Sequence, residues 1–245
     1  MGIIDKFRLD GKTAIVTGSG RGIGKAIALA LGREGMNVVA VSRTQNEIEK
    51  TISEISAMGS NGLAIKADIS KNDDIVMLVN TAVKKFGGID VLVNNASVLK
   101  TDGIEKLNQE DWDLTMAVNV RGTAFLSKSV MELMKKNTSS YVVNICSTAA
   151  LGAKPDVTSY CVSKYGVAGL TEALYKYGKN FNIRVSAIYP GVTDTEMLRN
   201  SDMTCSPDVL MKPEDIAYCV MFLLRSSDRM VVKEIIPWAV KFDII

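Results

Sequence analysis

The sequence contains no histidine, so it lacks the side chain that most often transfers protons near neutral pH. Catalytic triads with histidine, cysteine–histidine pairs and histidine-bound zinc are therefore excluded. Any acid–base chemistry in this chain has to use a carboxylate, lysine, tyrosine, serine or cysteine.

Cysteine is scarce as well, with four in 245 residues: Cys146, Cys161, Cys205 and Cys219. None of them forms a C-x-x-C pair, so neither a dithiol site nor a metal site is predicted. A chain of this length buries enough surface to fold without disulfides, and we expect free thiols in a reducing cytoplasm.

Long apolar runs and an excess of one charge are both missing. The longest apolar stretch near the start, residues 26–31, is far too short to cross a bilayer, and no signal-peptide core precedes it. The 29 basic and 27 acidic residues leave a net charge of +2. We therefore expect a cytoplasmic protein that binds neither nucleic acid nor a membrane.

Strand-like and helix-like segments alternate along the whole chain. Apolar, β-branched segments predict strands at residues 13–17, 37–41, 63–67, 90–93, 141–145 and 183–188. Amphipathic segments predict helices at about 22–35, 45–58, 71–86, 112–134 and 159–177. This alternation predicts one α/β domain over residues 1–245, with a three-layer, doubly wound parallel sheet.

The segment 190–211 has no clear periodicity, and a loop of this length inside a compact domain is commonly a lid. We predict a substrate lid at about 193–211. Met197 and Leu198 are among its adaptable apolar side chains, and Arg199 and Lys212 are candidates for binding an anionic group.

A glycine-rich turn follows the first predicted strand and reads Thr17-Gly18-Ser19-Gly20-Arg21-Gly22-Ile23-Gly24. Glycines let the backbone approach phosphates, and the N-terminus of the next helix offers N–H groups. The spacing is G-x-x-x-G-x-G rather than G-x-G-x-x-G. Its place between a strand and a helix predicts the pyrophosphate site of a dinucleotide.

The end of the second strand indicates which dinucleotide is bound. It reads Ser42-Arg43-Thr44, without the acidic residue that binds the ribose hydroxyl in NAD sites. Arg43 can instead pair with a 2′-phosphate, and Arg21 can assist it. We therefore predict NADP(H) as the cofactor rather than NAD(H).

A second group of polar residues lies further along. Ser147 follows the fifth strand, and Tyr160 and Lys164 share one face of a predicted helix because they are four residues apart. Such a pair alone is usually a solvated helix face. Alternatively, the lysine lowers the tyrosine pKa from about 10 and makes the phenol an acid–base group.

Six motifs stand in the order and spacing of the short-chain dehydrogenase/reductase family: residues 17–24, Asn94-Asn95-Ala96, Asn119, Ser147, Tyr160-x-x-x-Lys164 and Pro190-Gly191. The resemblance covers about residues 8–225. It implies a Rossmann-type fold, a nicotinamide cofactor and hydride transfer between a ketone and a secondary alcohol.

The same resemblance implies the catalytic roles. Tyr160 is the acid and base, and Lys164 holds the nicotinamide ribose and tunes Tyr160. Ser147 orients the carbonyl group, and Asn119 keeps a water molecule for the proton relay.

Further residues resemble the family's cofactor contacts. Asp68 and Ile69 correspond to the adenine contacts, Asn95 to the contact with the adenosine ribose, and the segment after Pro190 to the loop that holds the carboxamide. The predicted cofactor-binding set is Gly18, Ser19, Arg21, Gly22, Ile23, Gly24, Ser42, Arg43, Asp68, Ile69, Asn95, Tyr160, Lys164, Pro190, Gly191, Thr193 and Thr195.

The substrate is less clearly indicated. Residues 232–238 lack the glycine-bearing ending of 3-oxoacyl-ACP reductases and resemble the branch of serine and 3-hydroxy-acid dehydrogenases, which argues against an acyl-carrier substrate. Two other functions stay open: a dinucleotide-binding regulator without turnover, and an epimerase or dehydratase. The resemblance also implies a homodimer or homotetramer built on the helices at 112–134 and 159–177.

Overall fold

The computed structural model describes residues 9–201, 206 and 209–241. Within this part of the chain, one parallel sheet has the strand order β3-β2-β1-β4-β5-β6-β7. The strands are β1 (Thr13–Thr17), β2 (Asn37–Ser42), β3 (Gly62–Lys66), β4 (Val91–Asn94), β5 (Ser140–Ile145), β6 (Ile183–Ile188) and β7 (Glu234–Ile235).

The helices follow the strands as predicted. They are α1 (Gly22–Arg33), α2 (Gln45–Ala57), α3 (Asn72–Phe86), α4 (Gln109–Thr115), α5 (Thr123–Met134), α6 (Thr158–Gly178), α7 (Glu196–Arg199) and α8 (Pro213–Leu224). A π-helical turn, Met116–Gly122, joins α4 to α5 within the segment that was predicted as one helix. No helix among the described residues is both long and apolar enough to cross a membrane.

The sheet is buried on both faces because its central strands are apolar throughout. Successive side chains of a strand point to opposite faces. Val16 in β1 accordingly joins the apolar layer of α1 and α8, whereas its neighbour Ile15 joins the layer of α3 and α5. The predicted three-layer, doubly wound architecture is thus confirmed.

Two elements near the C-terminus were not predicted. Helix α8 packs against α1, and β7 adds a short seventh strand whose Glu234 and Ile235 pair with Ala187 and Ile188 of β6. The predicted lid contains α7 and returns to the body of the protein where Thr193 pairs with Met211. Residues 202–205, 207 and 208 of that predicted lid lie outside the described residues.

The strand order places a crevice at one edge of the sheet. The connections from β1 and from β4 lead to opposite sides, so their carboxyl ends leave a gap between them. Open α/β sheets bind their ligands at such a point.

Candidate active site

The glycine-rich turn after β1 needs glycine for conformational and steric reasons. Gly18 and Gly22 have φ angles of +66° and +53°, which side-chain-bearing residues rarely adopt. A Cβ atom on Gly24 would lie 2.2 Å from the carbonyl oxygen of Gly18. The turn therefore brings bare backbone and the N-terminus of α1 to the crevice.

Hydrogen bonds join the end of β1 to the end of β4 beneath this turn. The side-chain nitrogen of Asn95 donates to the carbonyl oxygens of Thr17 and Gly18, at 2.9 and 3.2 Å. The Thr17 hydroxyl accepts from the backbone N–H groups of Asn95 and Ala96, each at 3.0 Å. These contacts fix the floor of the crevice.

A cavity of about 300 Å³ runs along the carboxyl ends of the strands. It is of the size that a small-molecule site needs. Its lining brings together most of the predicted residues: Gly18, Arg21, Gly22, Ile23, Ser42, Arg43, Asp68, Ile69, Asn95, Ser147, Tyr160, Lys164, Pro190, Gly191, Thr193 and Thr195.

Three predicted residues do not line this cavity: Ser19, Gly24 and Asn119. Ser19 is fully buried, and its hydroxyl accepts the backbone N–H of Val41 at 2.8 Å; its predicted contact with the cofactor stays a prediction. Gly24 has no side chain, and this lets the start of α1 approach the carbonyl oxygen of Gly18.

Asn119 lies in the π-helical turn and is 1% exposed. Its side-chain oxygen accepts the N–H of Val98, and its nitrogen donates to the Val98 carbonyl and to the Ser163 hydroxyl, at 2.8–2.9 Å. The side chain therefore holds two segments together, and its predicted role in a water relay stays a prediction.

Opposite charges meet at the β2 end of the cavity. Burial tends to raise the pKa of Asp68, but two hydrogen bonds from Ser70 and the nearby charge of Arg43 outweigh it and hold the pKa below its usual value. Arg21 is exposed, and its guanidinium lies 2.6 Å from a Glu196 carboxylate oxygen and 3.7 Å from one of Glu47. Arg43 also lines the cavity, whereas the Arg21 guanidinium is already paired with two carboxylates.

The other end of the cavity contains Tyr160 and Lys164. The Lys164 nitrogen donates a 3.0 Å hydrogen bond to the Ile145 carbonyl oxygen and lies 5.4 Å from the centre of the Tyr160 ring. The lysine is 3% exposed, and its burial lowers its pKa to about 8. The lysine is thus buried and the tyrosine partly buried, so the pair is not a solvated helix face.

The expected lowering of the Tyr160 pKa is wrong for the protein as described. Burial raises this pKa to about 12, and the hydrogen bond with the Ser147 side chain offsets only part of the rise. Desolvation of the phenolate is the main cause of the rise, and Lys164, whose own pKa is lowered by burial, does not offset it. At neutral pH the phenol is protonated and can serve as a proton donor.

Ser147 reaches the same point from the end of β5. Its hydroxyl oxygen accepts the backbone N–H of Ala149 at 3.1 Å and caps the short turn Thr148–Ala150. The hydroxyl also hydrogen-bonds the Tyr160 phenol, and a carbonyl oxygen placed between Ser147 and Tyr160 would take over this contact. Together the two hydroxyl groups can hold a carbonyl by its oxygen atom.

The segment after β6 closes the cavity. The backbone carbonyl of Pro190 accepts the N–H of Thr148, and the N–H of Gly191 donates to Pro237, each at 3.0 Å. Thr193 donates its hydroxyl to the Gly191 carbonyl, and the Thr195 hydroxyl caps α7. Arg199, predicted as an anion ligand, instead pairs with Asp194 at 2.5 Å.

Sequence reasoning missed several residues that line or support the site. Lys154 and Glu47 line the cavity, and Asp102 is a buried carboxylate near the start of α6. None belongs to a motif with fixed spacing. For the buried Asp102, the exclusion of charge from protein interiors gives a signal, but its burial is visible only in the structure.

The residues present fit a nicotinamide dinucleotide. The glycine turn offers bare backbone at the N-terminus of α1, and a buried lysine without a carboxylate partner among the described residues stands beside a protonated phenol at the far end. The family model "short chain dehydrogenase" matches residues 12–205.

Proteins of similar sequence and structure are also named as reductases. A sepiapterin reductase from Chlorobaculum tepidum is 37% identical over an alignment of 229 residues that covers 91% of this chain and 93% of the relative. A 3-oxoacyl-[acyl-carrier-protein] reductase from Synechocystis is 33% identical, covering 88% of this chain and 90% of the relative. A 3-ketoacyl-(acyl-carrier-protein) reductase from Brucella melitensis, crystallised with NADH, is 30% identical with a TM-score of 0.88, covering 95% of this chain and 99% of the other.

Proposed function

This chain belongs to the short-chain dehydrogenase family, and from that premise we propose that it interconverts a ketone and a secondary alcohol with NADP(H), using Tyr160 as acid and base. Its relatives are named as reductases and dehydrogenases, and the family acts on CH–OH groups with nicotinamide dinucleotides. The observation that carries the proposal is the protonated, partly buried Tyr160 beside Ser147 and Lys164 in a cavity that begins at the glycine turn.

The cofactor would lie along the strand ends. The glycine turn and the N-terminus of α1 would hold the pyrophosphate, and Asp68 and Asn95 would meet the adenosine part. Arg43, which follows β2, supports NADP(H), because a guanidinium binds a phosphate through charge-assisted hydrogen bonds. When bound, the nicotinamide supplies or receives the hydride.

The side chains at the other end would manage the proton. Ser147 and Tyr160 donate hydrogen bonds to the substrate carbonyl oxygen, and this polarises the carbonyl. During reduction the Tyr160 hydroxyl gives its proton to that oxygen, and during oxidation the phenolate takes it back. Lys164 holds positive charge beside the phenolate and would contact the nicotinamide ribose.

The substrate would enter between the turn after Ser147 and α7. Val98, Leu99 and Met197 line this part of the cavity and give it an apolar surface. The relatives named above differ in substrate, so a panel of ketones is required. It should include sepiapterin, an acetoacetyl thioester and small 3-oxo acids.

Assembly and location are further parts of the proposal. Exposed apolar side chains on α5 and α6, among them Phe125 and Tyr165, support a homodimer or homotetramer. Trp238 and Val240 are also exposed and offer a second contact surface. The free thiols of Cys146, Cys161 and Cys219 support a reducing compartment such as the cytoplasm.

The test is a fluorescence titration of the purified protein with NADPH and NADH, followed by the ketone panel. We expect NADPH to bind at least about tenfold more tightly and to be oxidised in the presence of a ketone. Tight NADPH binding without its oxidation by any ketone would favour the alternative function, a dinucleotide-binding regulator without turnover. Tighter binding of NADH would contradict the proposal that Arg43 makes the protein prefer NADP(H).

A further inference from the structure

Asp102 is a carboxylate in the interior of the protein and has no role in the site as described so far. It is 3% exposed, and one of its oxygens, Oδ2, has no hydrogen-bond partner. The other oxygen, Oδ1, accepts the backbone N–H of Ser159 at 3.3 Å, across 57 positions of sequence. Such a buried group is costly and requires a structural reason.

The reason lies at the N-terminus of α6. The residue before this helix, Val157, has no side-chain acceptor for the free N–H groups of the first turn, and that turn contains no acidic residue. A helix start usually has a polar or acidic residue at this point, because the N–H groups are unpaired and carry partial positive charge. Asp102 supplies the missing acceptor from a distant segment.

Further contacts press the segment of Asp102 against the start of α6. A Cβ atom on Gly103 would lie 3.3 Å from the Pro155 carbonyl oxygen, so the two backbones run close together. The Ser159 hydroxyl, which is fully buried, lies 3.5 Å from the Thr115 hydroxyl. The first turn of α6 is thereby fixed on more than one side.

This turn contains Tyr160, the residue directly after Ser159. The same segment that contains Asp102 begins with Val98, which is bound to the Asn119 side chain. Asn119 in turn binds the Ser163 hydroxyl, which donates to the Tyr160 carbonyl oxygen at 2.7 Å. The backbone of Tyr160 is therefore held between Asp102 on one side and the Asn119 network on the other.

We propose that Asp102 is a positioning residue for Tyr160: by accepting the Ser159 N–H it fixes the first turn of α6, and so the place of the phenol oxygen relative to Ser147. The inference rests on the proposed role of Tyr160 as the acid. It assigns Asp102 no contact with substrate or cofactor, so cofactor affinity should not depend on it.

The test compares the variants D102A and D102N in steady-state NADPH oxidation. D102A removes the acceptor, and we expect kcat to fall by about 10- to 100-fold, because small displacements of a catalytic group cost that much. The dissociation constant for NADPH should change less than about twofold. In D102N the amide oxygen can still accept the Ser159 N–H, and we expect kcat to recover to within about fivefold of the wild type.

The matched control is D73A, which removes an exposed carboxylate from the first turn of a different helix, α3. It should leave kcat unchanged. If D102A does not fold, D102E takes its place, since it keeps the charge but displaces the first turn, and its kcat should fall with unchanged NADPH affinity.

Three results would overturn the inference: full kcat in D102A or, if D102A does not fold, in D102E; equal losses in D102A and D102N; or a parallel loss of NADPH affinity. The variant Y160F separates this inference from the function it rests on. If Y160F is inactive while D102A is fully active, only the role of Asp102 fails. If Y160F is fully active, the acid assignment itself fails.

Discussion

The side-chain nitrogen of Lys164 donates a 3.0 Å hydrogen bond to the carbonyl oxygen of Ile145, the last residue of β5. The lysine is almost fully buried, and burial lowers its pKa to about 8. A positive charge held in the interior weakens the fold. We propose that this lysine, beside Tyr160, serves the reaction rather than stability.

Replacing this lysine should therefore separate stability from activity. In K164M we expect turnover to fall by about 100-fold or more, because the phenolate loses its neighbouring charge. The melting temperature at pH 7 should stay the same or rise, since the variant no longer buries a charge. A fall of several degrees, measured by thermal unfolding, would contradict this reading.

The difference in stability between K164M and the wild type should change with pH in a defined direction. The folded pKa of Lys164, about 8, lies below the ordinary lysine value of 10.5, so the unfolded chain binds more protons between these values. The contribution of Lys164 to wild-type stability therefore rises with pH through this window. The stability advantage of K164M should shrink from pH 8 towards pH 10.

Alcohol oxidation should become faster as the pH rises. The phenolate of Tyr160 is the base in this direction, and with a pKa of about 12 only a small fraction is ionised near neutrality. Initial rates with saturating NADP⁺ should increase between pH 7 and pH 9. An oxidation rate that falls over this range would show that another group limits the proton transfer.

Arg43 should determine the choice of cofactor. We expect R43A to weaken NADPH binding by about 10- to 100-fold, because a charge-assisted hydrogen bond contributes about 1.5–3 kcal/mol. NADH binding should not change. R33A, which removes an arginine at the end of α1, is the matched control and should bind both cofactors normally. Equal weakening of NADPH and NADH in R43A would refute the selective role.

Gly24 and Gly88 make a matched pair for the turn after β1. A methyl group on Gly24 would meet the Gly18 carbonyl oxygen and the Asn95 side chain, whereas nothing lies within 4 Å of one on Gly88. G24A should lose about 1–3 kcal/mol of stability and bind NADPH poorly. G88A should behave like the wild type in denaturant unfolding and cofactor titration. Tight NADPH binding by G24A would count against the turn as the phosphate site.

The sequence predicted the main elements well because their signal is local. The apolar segments matched β1 to β6 within one or two residues, since buried parallel strands are continuously apolar. Strand β7 was not predicted because only two of its residues pair, and their pairing depends on the backbone of β6. The π-helical turn at Met116–Gly122 was not predicted because hydrophobic periodicity does not show which carbonyl oxygen each backbone N–H contacts.

The candidate site was predictable to the extent that its motifs have fixed spacing. The positions of Tyr160, Lys164 and Ser147 followed from that spacing, and the structure brings them together. The direction of the Tyr160 pKa did not follow, because it depends on burial by residues distant in sequence. The burial and hydrogen bond of Asp102 could not be predicted for the same reason, since its partner Ser159 is 57 positions away.

The most direct test of the account is the rate of NADPH oxidation by Y160F with a ketone that the wild type reduces. The side chain keeps its ring and loses only the hydroxyl that donates the proton. We expect turnover to fall by about 100- to 10,000-fold while NADPH binds with unchanged affinity. If Y160F turns over at the wild-type rate, Tyr160 is not the acid, and the proposed mechanism is wrong.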